Sequence, residues 1–369
     1  MRVREVRIHR LHMPLRIRFE TSFAVETHRL VDIVEVHSDG GVGYGECVAM
    51  EEPLYSEETL DGARDVLVRH LLPRLAGVDL AGPEDVDAAF RPVHGNRMAK
   101  AAVECAVWDL FAQARGVSLA RLLGGEKERI AVGVSLGIEA DVDALLAQVE
   151  RHVRQGFRRI KLKVRPGWDE VPLAAVRDAF PDVPLTVDAN TAYGAADVER
   201  LAGWDRFHLE YVEQPFREDE LLLHAELQRR MATAVCLDES IHGASDVHLA
   251  AALGAARVVN VKVGRVGGLA ESLRVCQAAR EHGIALWCGG MLETGVGRAV
   301  NVAIASRSEF TLPGDTAGSD RYWDLDLIEP PVVAQGGEVA VPTAPGLGYA
   351  VVPERLRRFA VEPPRVVAL

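Results

Sequence analysis

The sequence predicts an α/β protein built as a parallel (β/α) barrel of the TIM type with a smaller α+β module attached. From Arg129 onward, short apolar runs rich in β-formers alternate with helical stretches, and eight runs can be counted: IAVGVSLGI, RRIKLKV, PLTVDAN, HLEYVEQP, AVCLDES, RVVNVKVG, IALWCGG and SEFTLPGD. Such alternation favours parallel β/α units, and eight of them favour a closed barrel over an open doubly wound sheet. Asp188, Glu213 and Asp238 each end one run and stand at equal intervals of 25 residues, roughly the length of one strand, one helix and two short loops. Before Arg129 the pattern is of another kind. The chain of 369 residues has room for a barrel of about 200 to 250 residues and a second unit.

Residues 2–13 alternate polar and apolar (Val3, Val6, Ile8, Leu11). VDIVEVHSDGGVGYGEC then reads as two strands joined by the Asp39-Gly40-Gly41 turn. From about Ser56 the periodicity is helical, ending in KAAVECAVWDLFAQARG with Gly116 as the stop signal. The expected organisation is an α+β module over residues 1–125, the barrel over 126–320, and a segment over 321–369, with its Pro and Gly residues, packing back on the first module.

With 48% apolar and 26% charged residues, the composition is that of an ordinary globular protein with ample core. The net charge of −12 argues against nucleic acid as a partner. A divalent cation and lysines at a barrel mouth would still make the local potential positive. Five cysteines (Cys47, Cys105, Cys236, Cys276, Cys288) show no paired spacing, which fits a reducing compartment. The start, MRVREVRIHRLHMPL, is interrupted by charges, and no apolar run of 18 residues follows. The expectation is a cytoplasmic homo-oligomer with no membrane partner.

In a parallel barrel the C-terminal ends of successive strands share one rim, so residues 25 apart become neighbours around a single mouth. Lys161 and Lys163 are two apart in IKLKV and therefore point to the same face of a strand. A solvated surface pair would not explain the apolar Ile160, Leu162 and Val164 around them, and buried lysines are rare without a partner. Lys163 precedes Asp188 by 25 residues and Lys262 follows Asp238 by 24, so two bases flank the three acids. Asp188, Glu213 and Asp238 are hard oxygen ligands suited to Mg²⁺ or Mn²⁺. Any one of them could simply cap the next helix, but capping does not account for the joint pattern. No HExxH, CxxC or phosphate-binding Gly-rich loop ending in Lys-Ser/Thr is present.

These residues resemble the enolase superfamily in its muconate-lactonizing-enzyme-like branch. The KxK of Lys161 and Lys163, the acids in VDAN, EQP and DES, and Lys262 carry the match. GNRMAKAAVE, GVSLGI, IKLKVRPGWD, VDANTAY, CLDES, GRVGG, WCGGMLETGVGRAVN and FTLPGDTAGSDRYW look like the o-succinylbenzoate synthase/N-succinylamino acid racemase subgroup. The resemblance spans the whole chain. It implies a modified (β/α)7β barrel with a capping domain formed by the N-terminal module and the C-terminal tail. It also implies Mg²⁺-dependent abstraction of the proton α to a carboxylate through an enediolate, with a lysine base, the known pattern of this superfamily. Racemisation of N-succinyl (N-acyl) amino acids, o-succinylbenzoate synthesis as in menaquinone biosynthesis, or both are the implied activities. Another lysine-based member of the branch, muconate-cycloisomerase-like or a dipeptide epimerase, is the alternative within the family. Outside it stand a Schiff-base aldolase using Lys262 and a silent metal-binding scaffold.

A lysine base near neutral pH needs its pKa lowered from about 10.4 toward about 7 to 8, at a cost of about 4 kcal/mol. Lys161 is expected to depress Lys163, and the metal with Arg265 to depress Lys262; Arg265 pairing with a rim acid is the alternative. The loop after Lys262 reads Val263-Gly264-Arg265 where the subgroup has Pro-Gly-Arg. Trp287 and Cys288 stand on strand seven without a histidine, and GDTAGSD lacks a close Asp-x-Asp pair, which disfavours mandelate-racemase-like and dipeptide-epimerase chemistry respectively. Ser135 on strand one and the Gly289-Gly290-Met291 turn are placed to line the substrate pocket. Asn190 is expected beside the metal site. Phe19, Phe23, Met50 and Tyr55 lie in capping loops that, by resemblance, close over the mouth, though each could instead be a core residue. None of the twelve histidines has ligand spacing.

Overall fold

The computed structural model describes residues 1–22 and 24–369; Phe23 lies outside the described residues. The chain opens with three antiparallel strands, β1 (Val3–Glu20), β2 (Val25–Ser38) and β3 (Gly41–Cys47), turning at Asp39 and Gly40. Helices α1 (Leu60–Val66), α2 (Asp85–Phe90), α3 (Arg97–Ala114) and α4 (Leu119–Leu122) follow. The alternation along β1 and β2 divides their apolar residues between two cores. Val6, Ile8, Val34 and Val36 pack with Val103 and Val107 of α3, whereas Leu11, Met13, Val31 and Ile33 join the core of the barrel. The sequence Gly43-Val-Gly45 on β3 permits the close approach of α3: a Cβ at Gly45 would stand 2.0 Å from the Ala102 carbonyl oxygen, and one at Gly43 2.2 Å from that of Ala106.

After β4 (Arg129–Ala131), seven parallel strands form one sheet in chain order. They are β5 (Val134–Leu136), β6 (Ile160–Lys163), β7 (Leu185–Asp188), β8 (Tyr211–Glu213), β9 (Ala234–Leu237), β10 (Val258–Val261) and β11 (Ala285–Cys288). Between and after them run α5 (Val142–Arg154), α6 (Glu170–Ala179), α7 (Val198–Ala202), α8 (Leu221–Arg230), α9 (Ala244–Leu253), α10 (Val263–Val266), α11 (Leu269–His282) and α12 (Gly295–Ala305). Two of the eight predicted strands differ from expectation. IAVGVSLGI splits at Gly133, so that β4 leaves the barrel. SEFTLPGD forms no continuous strand, because Pro313 has no N–H to give to a ladder. It nevertheless closes the ring: Leu312 N donates to Leu286 O (3.1 Å) and Asp315 N to Cys288 O (2.8 Å) on one side, and Gly133 N donates to Gly314 O (2.8 Å) on the other.

The last segment returns twice. Of β12 (Ile328–Glu329), β13 (Ala334–Gln335), β14 (Glu338–Ala340) and β15 (Ala350–Val351), β14 pairs with β4; after α13 (Pro353–Phe359), β16 (Arg365–Ala368) pairs with β1. Two buried carboxylates fasten the first module to the barrel by capping helix N-termini, where N–H groups are otherwise unpaired. Glu104 of α3 accepts from Leu269 N (2.6 Å) and Ala270 N (2.8 Å) of α11, and Glu46 of β3 accepts from Thr294 N (3.0 Å) and Gly297 N (2.9 Å) at α12. Among the described residues no helix is long and apolar enough to cross a membrane.

Candidate active site

The barrel interior is polar because its inward positions carry charge. At β6 the inward residues are Arg159, just before the strand, and Lys161 and Lys163 on it; Asp188 ends β7, Glu213 ends β8, Asp238 follows β9, and Asn260 and Lys262 lie on and just after β10. All are buried. Lys163 Nζ donates to Asp188 Oδ2 and to Asn190 Oδ1, each at 2.6 Å. Lys161 Nζ lies 2.8 Å from Glu213 Oε2 and 3.4 Å from Asp188 Oδ2. Across the mouth, Lys262 Nζ donates to Asp238 Oδ2 at 2.8 Å, and Arg265 pairs with Asp238 Oδ1. Tyr55 crosses from the first module: its hydroxyl donates to Asp238 Oδ1 (3.1 Å) and accepts from Lys262 (3.1 Å) and Arg265 (3.2 Å), while Lys262 Nζ sits 4.4 Å from its ring centroid.

Two small cavities meet here, and both are lined by Lys163, Lys262, Phe19, Gly290 and Leu292. The inner one, about 70 Å³, adds Ser135, Lys161, Asp188, Arg298, Asp315 and Tyr322. The outer one, about 80 Å³, adds Met50, Tyr55, Asn190 and Met291. Backbone strain gathers at the same rim: Asn190, Thr191, Gln214 and Leu292 have φ between 38° and 63°, a left-handed conformation uncommon for residues with a side chain.

The charges decide the protonation states. Burial opposes the Asp188 charge, but Lys163 and Lys161 outweigh it and hold the carboxyl at about 2. Burial, reinforced by Asp188, pushes Glu213 above the usual carboxylate range, and burial with Asp188 pushes Glu239 up to about 7. Burial also opposes the Lys262 charge, yet Tyr55, Glu239 and Glu213 overcome it and hold its pKa above the ordinary lysine value. Of the two charges expected to depress Lys262, the metal and Arg265, the arginine is turned to Asp238 instead, and it is the anions that face the lysine.

Among the described residues no three His, Cys, Asp or Glu side chains stand ready as a metal cage. The three acids are turned instead toward lysines and arginine. Their chemistry nonetheless fits a hard divalent cation: three buried carboxylates on neighbouring strand ends, with Glu213 reluctant to carry its charge. Buried oxygens without partners, Glu239 Oε2 and Asn260 Oδ1, stand beside them.

The first module and the barrel each match a family model. Residues 2–124 match the mandelate racemase/muconate lactonizing enzyme N-terminal domain, and residues 144–355 match the enolase C-terminal domain-like family. The chain belongs to the enolase superfamily. It is an enzyme of that superfamily, with relatives that include lyases and racemases. It is 48% identical to an o-succinylbenzoate synthase of Geobacillus kaustophilus over 95% of this chain and 93% of that one. It is also 48% identical to an N-succinylamino acid racemase of Thermus thermophilus over 94% of each chain. A crystal structure of an enolase superfamily member from Listeria innocua superposes with a TM-score of 0.96 at 39% identity, covering 100% of this chain and 99% of that one.

Within this enolase-superfamily site the structure brings together Lys161, Lys163, Asp188, Glu213, Asp238, Lys262, Arg265, Ser135, Asn190, Gly290, Met291, Phe19, Met50 and Tyr55. Phe23, also expected here, lies outside the described residues. Asn190 links two groups, accepting from Lys163 and donating to Glu239 Oε1 at 2.9 Å. Arg265 takes the alternative of a rim partner. Sequence reasoning missed Glu239, Asn260, Asp315, Arg159 and Glu293. Glu239 and Asn260 each stand next to, or two residues before, a residue already singled out (Asp238, Lys262), which was the available signal. Arg159 offered the same signal, standing two residues before Lys161, whereas Asp315 had none, since its partner Arg159 is 156 residues away.

Proposed function

We propose that this enzyme abstracts the proton α to a carboxylate with divalent-metal assistance, acting as an N-succinyl (N-acyl) amino acid racemase, an o-succinylbenzoate synthase, or both. One observation carries the reading: Lys163 and Lys262, from β6 and the end of β10, line the same pair of cavities from two sides, with the three acids between them. Asp188, Glu213 and Asp238 would hold Mg²⁺ or Mn²⁺. When bound, the cation supplies the positive charge that makes a second negative charge on the substrate carboxylate tolerable. Lys163 takes the proton from one face of the α-carbon and Lys262 serves the other. Lys161 stays charged, its pKa held up by Asp315, Glu213 and Asp188 against burial, and steadies the carboxylate. Arg265 orients Asp238. Phe19, Met50, Met291 and Gly290 border the space for acyl group and side chain, and Ser135 its inner wall. The relatives named for both activities support keeping the two together, because one enediolate chemistry serves racemisation and syn dehydration alike.

The test is an assay of purified enzyme and Mg²⁺ with an N-succinyl amino acid and with the cyclohexadiene precursor of o-succinylbenzoate, alongside α-proton exchange in D₂O. Turnover of at least one substrate is expected. Absence of both turnover and exchange would remove the assignment. Borohydride trapping with a ketone should give no adduct at Lys262, unlike a Schiff-base aldolase.

A further inference from the structure

We infer that Asp315 is the positioning residue of Lys161, an inference that rests on the function proposed above. Three carboxylates hold the Lys161 ammonium: Glu213 at 2.8 Å, Asp315 at 2.9 Å and Asp188 at 3.4 Å, with the Trp287 ring centroid 4.4 Å away. Glu213 and Asp188 are the expected metal ligands, whose oxygens a bound cation would claim. Asp315 is the one member of the three outside that set, so it is the anchor left to Lys161 when the site is loaded.

Asp315 is itself fixed on every side. Its backbone N–H donates to Cys288 O at 2.8 Å as part of the barrel closure, and its Oδ2 accepts from Ser135 Oγ at 2.9 Å. Its Oδ1 meets Arg159, which is 0% exposed, donates to Tyr211 Oη (2.7 Å) and Pro313 O (3.2 Å), and lies 4.9 Å from the Trp287 ring centroid. Arg159, Asp315 and Lys161 thus form an alternating charge row against Trp287, below the rim. The row matters because Lys161 and Lys163 share Asp188 Oδ2, at 3.4 and 2.6 Å. With Asp315 in place Lys161 is drawn down toward the barrel floor, leaving Asp188 to Lys163 and to a cation. Without it, Lys161 has only the ligand carboxylates to turn to, and competes for them. Asp315 touches no reacting atom in this role; it acts through Lys161.

The experiment is a mutant cycle with two readouts, kcat and KM on the substrates above and Mg²⁺ titration of metal-free protein by calorimetry. Asp315→Asn should lower kcat about 30-fold with KM within about threefold, and weaken Mg²⁺ binding about tenfold, sizes typical of losing one buried charge-assisted hydrogen bond. In a Lys161→Met background the same change should add less than about twofold to either loss, because the two residues act as a unit. Arg159→Met/Asp315→Asn removes the ion pair whole and should be as slow as Asp315→Asn. Recovery of the wild-type rate in that double variant would mean that Asp315 matters only as the partner of Arg159, and overturns the inference. So does a full 30-fold loss on top of Lys161→Met, or unchanged Mg²⁺ affinity. If Asp315→Asn alone does not fold, the double variant carries the same titration. If the wild type turns over neither substrate, the proposed function falls while Mg²⁺ binding still decides the role of Asp315.

Discussion

Replacing Tyr55 by Phe isolates what the first module contributes to the mouth. The change removes one hydroxyl and keeps the ring that packs over Lys262 Nζ at 4.4 Å. Three hydrogen bonds go with it, to Asp238 (3.1 Å), Lys262 (3.1 Å) and Arg265 (3.2 Å). None of the three partners is orphaned, since Lys262 and Asp238 still bind each other at 2.8 Å and Arg265 still donates to Ile241 O at 2.7 Å. The cost is therefore set by the lost bonds to charged groups and not by stranded charges, about 2 kcal/mol in all. Expressed in the closed, reacting state, about 2 kcal/mol is about a 30-fold fall in kcat/KM. Tyr55→Leu should be slower still, because the cation–π contact, worth about 0.5 to 2 kcal/mol, is lost as well. Steady-state kinetics on the N-succinyl substrate, with melting temperatures as a control for folding, read the effect. A Tyr55→Phe enzyme within threefold of wild type would refute the idea that this hydroxyl ties the module to the reacting groups.

Lys163→Ala and Lys262→Ala should each abolish racemisation while leaving exchange of the α-proton of one enantiomer with D₂O, opposite enantiomers for the two variants; near-normal racemisation by Lys163→Ala would sink the two-base assignment. Chelation should remove activity and lower the melting temperature, and Mg²⁺ or Mn²⁺ should restore both; an undiminished rate in excess chelator would exclude metal at Asp188, Glu213 and Asp238. Glu104 gives a pH effect of definite sign. Burial pushes its carboxyl from 4.5 up to about 7, against the N–H groups of Ala270 and Leu269 and the indole of Trp108. A folded pKa above the unfolded one adds stability that is complete below about pH 4.5 and is lost as pH rises through about 7. Wild type should thus lose more unfolding free energy between pH 5 and pH 8 than Glu104→Gln does, measured by urea titration at each pH; parallel losses would show that Glu104 does not titrate in that window.

Much of the site was legible in the sequence because its logic is periodic. A two-residue repeat puts Lys161 and Lys163 on one strand face, and a 25-residue repeat returns Asp188, Glu213 and Asp238 to one rim, whatever the rest of the chain does. The alternation of β1 and β2, the Asp39-Gly40 turn and the Gly116 stop are local in the same sense, and each was readable from a few neighbouring residues. IAVGVSLGI and SEFTLPGD misled in part because an apolar run shows strand propensity but not partners: Gly133 divides the first, and Pro313 denies the second a ladder.

What tertiary structure alone decided is everything that depends on charges meeting through space. Tyr55 reaches Asp238 across 183 residues, and Glu104 caps a helix that begins 165 residues later. Arg159 and Asp315 are 156 residues apart and meet only because the barrel closes. The partner of Arg265 was decided in the same way. The sequence places Arg265 three residues away, but the fold turns that arginine onto Asp238 and leaves Lys262 facing Tyr55, Glu239 and Glu213. Strand period and βα length act along the chain, whereas electrostatic energy depends on distance and burial, which exist only once the chain has closed on itself.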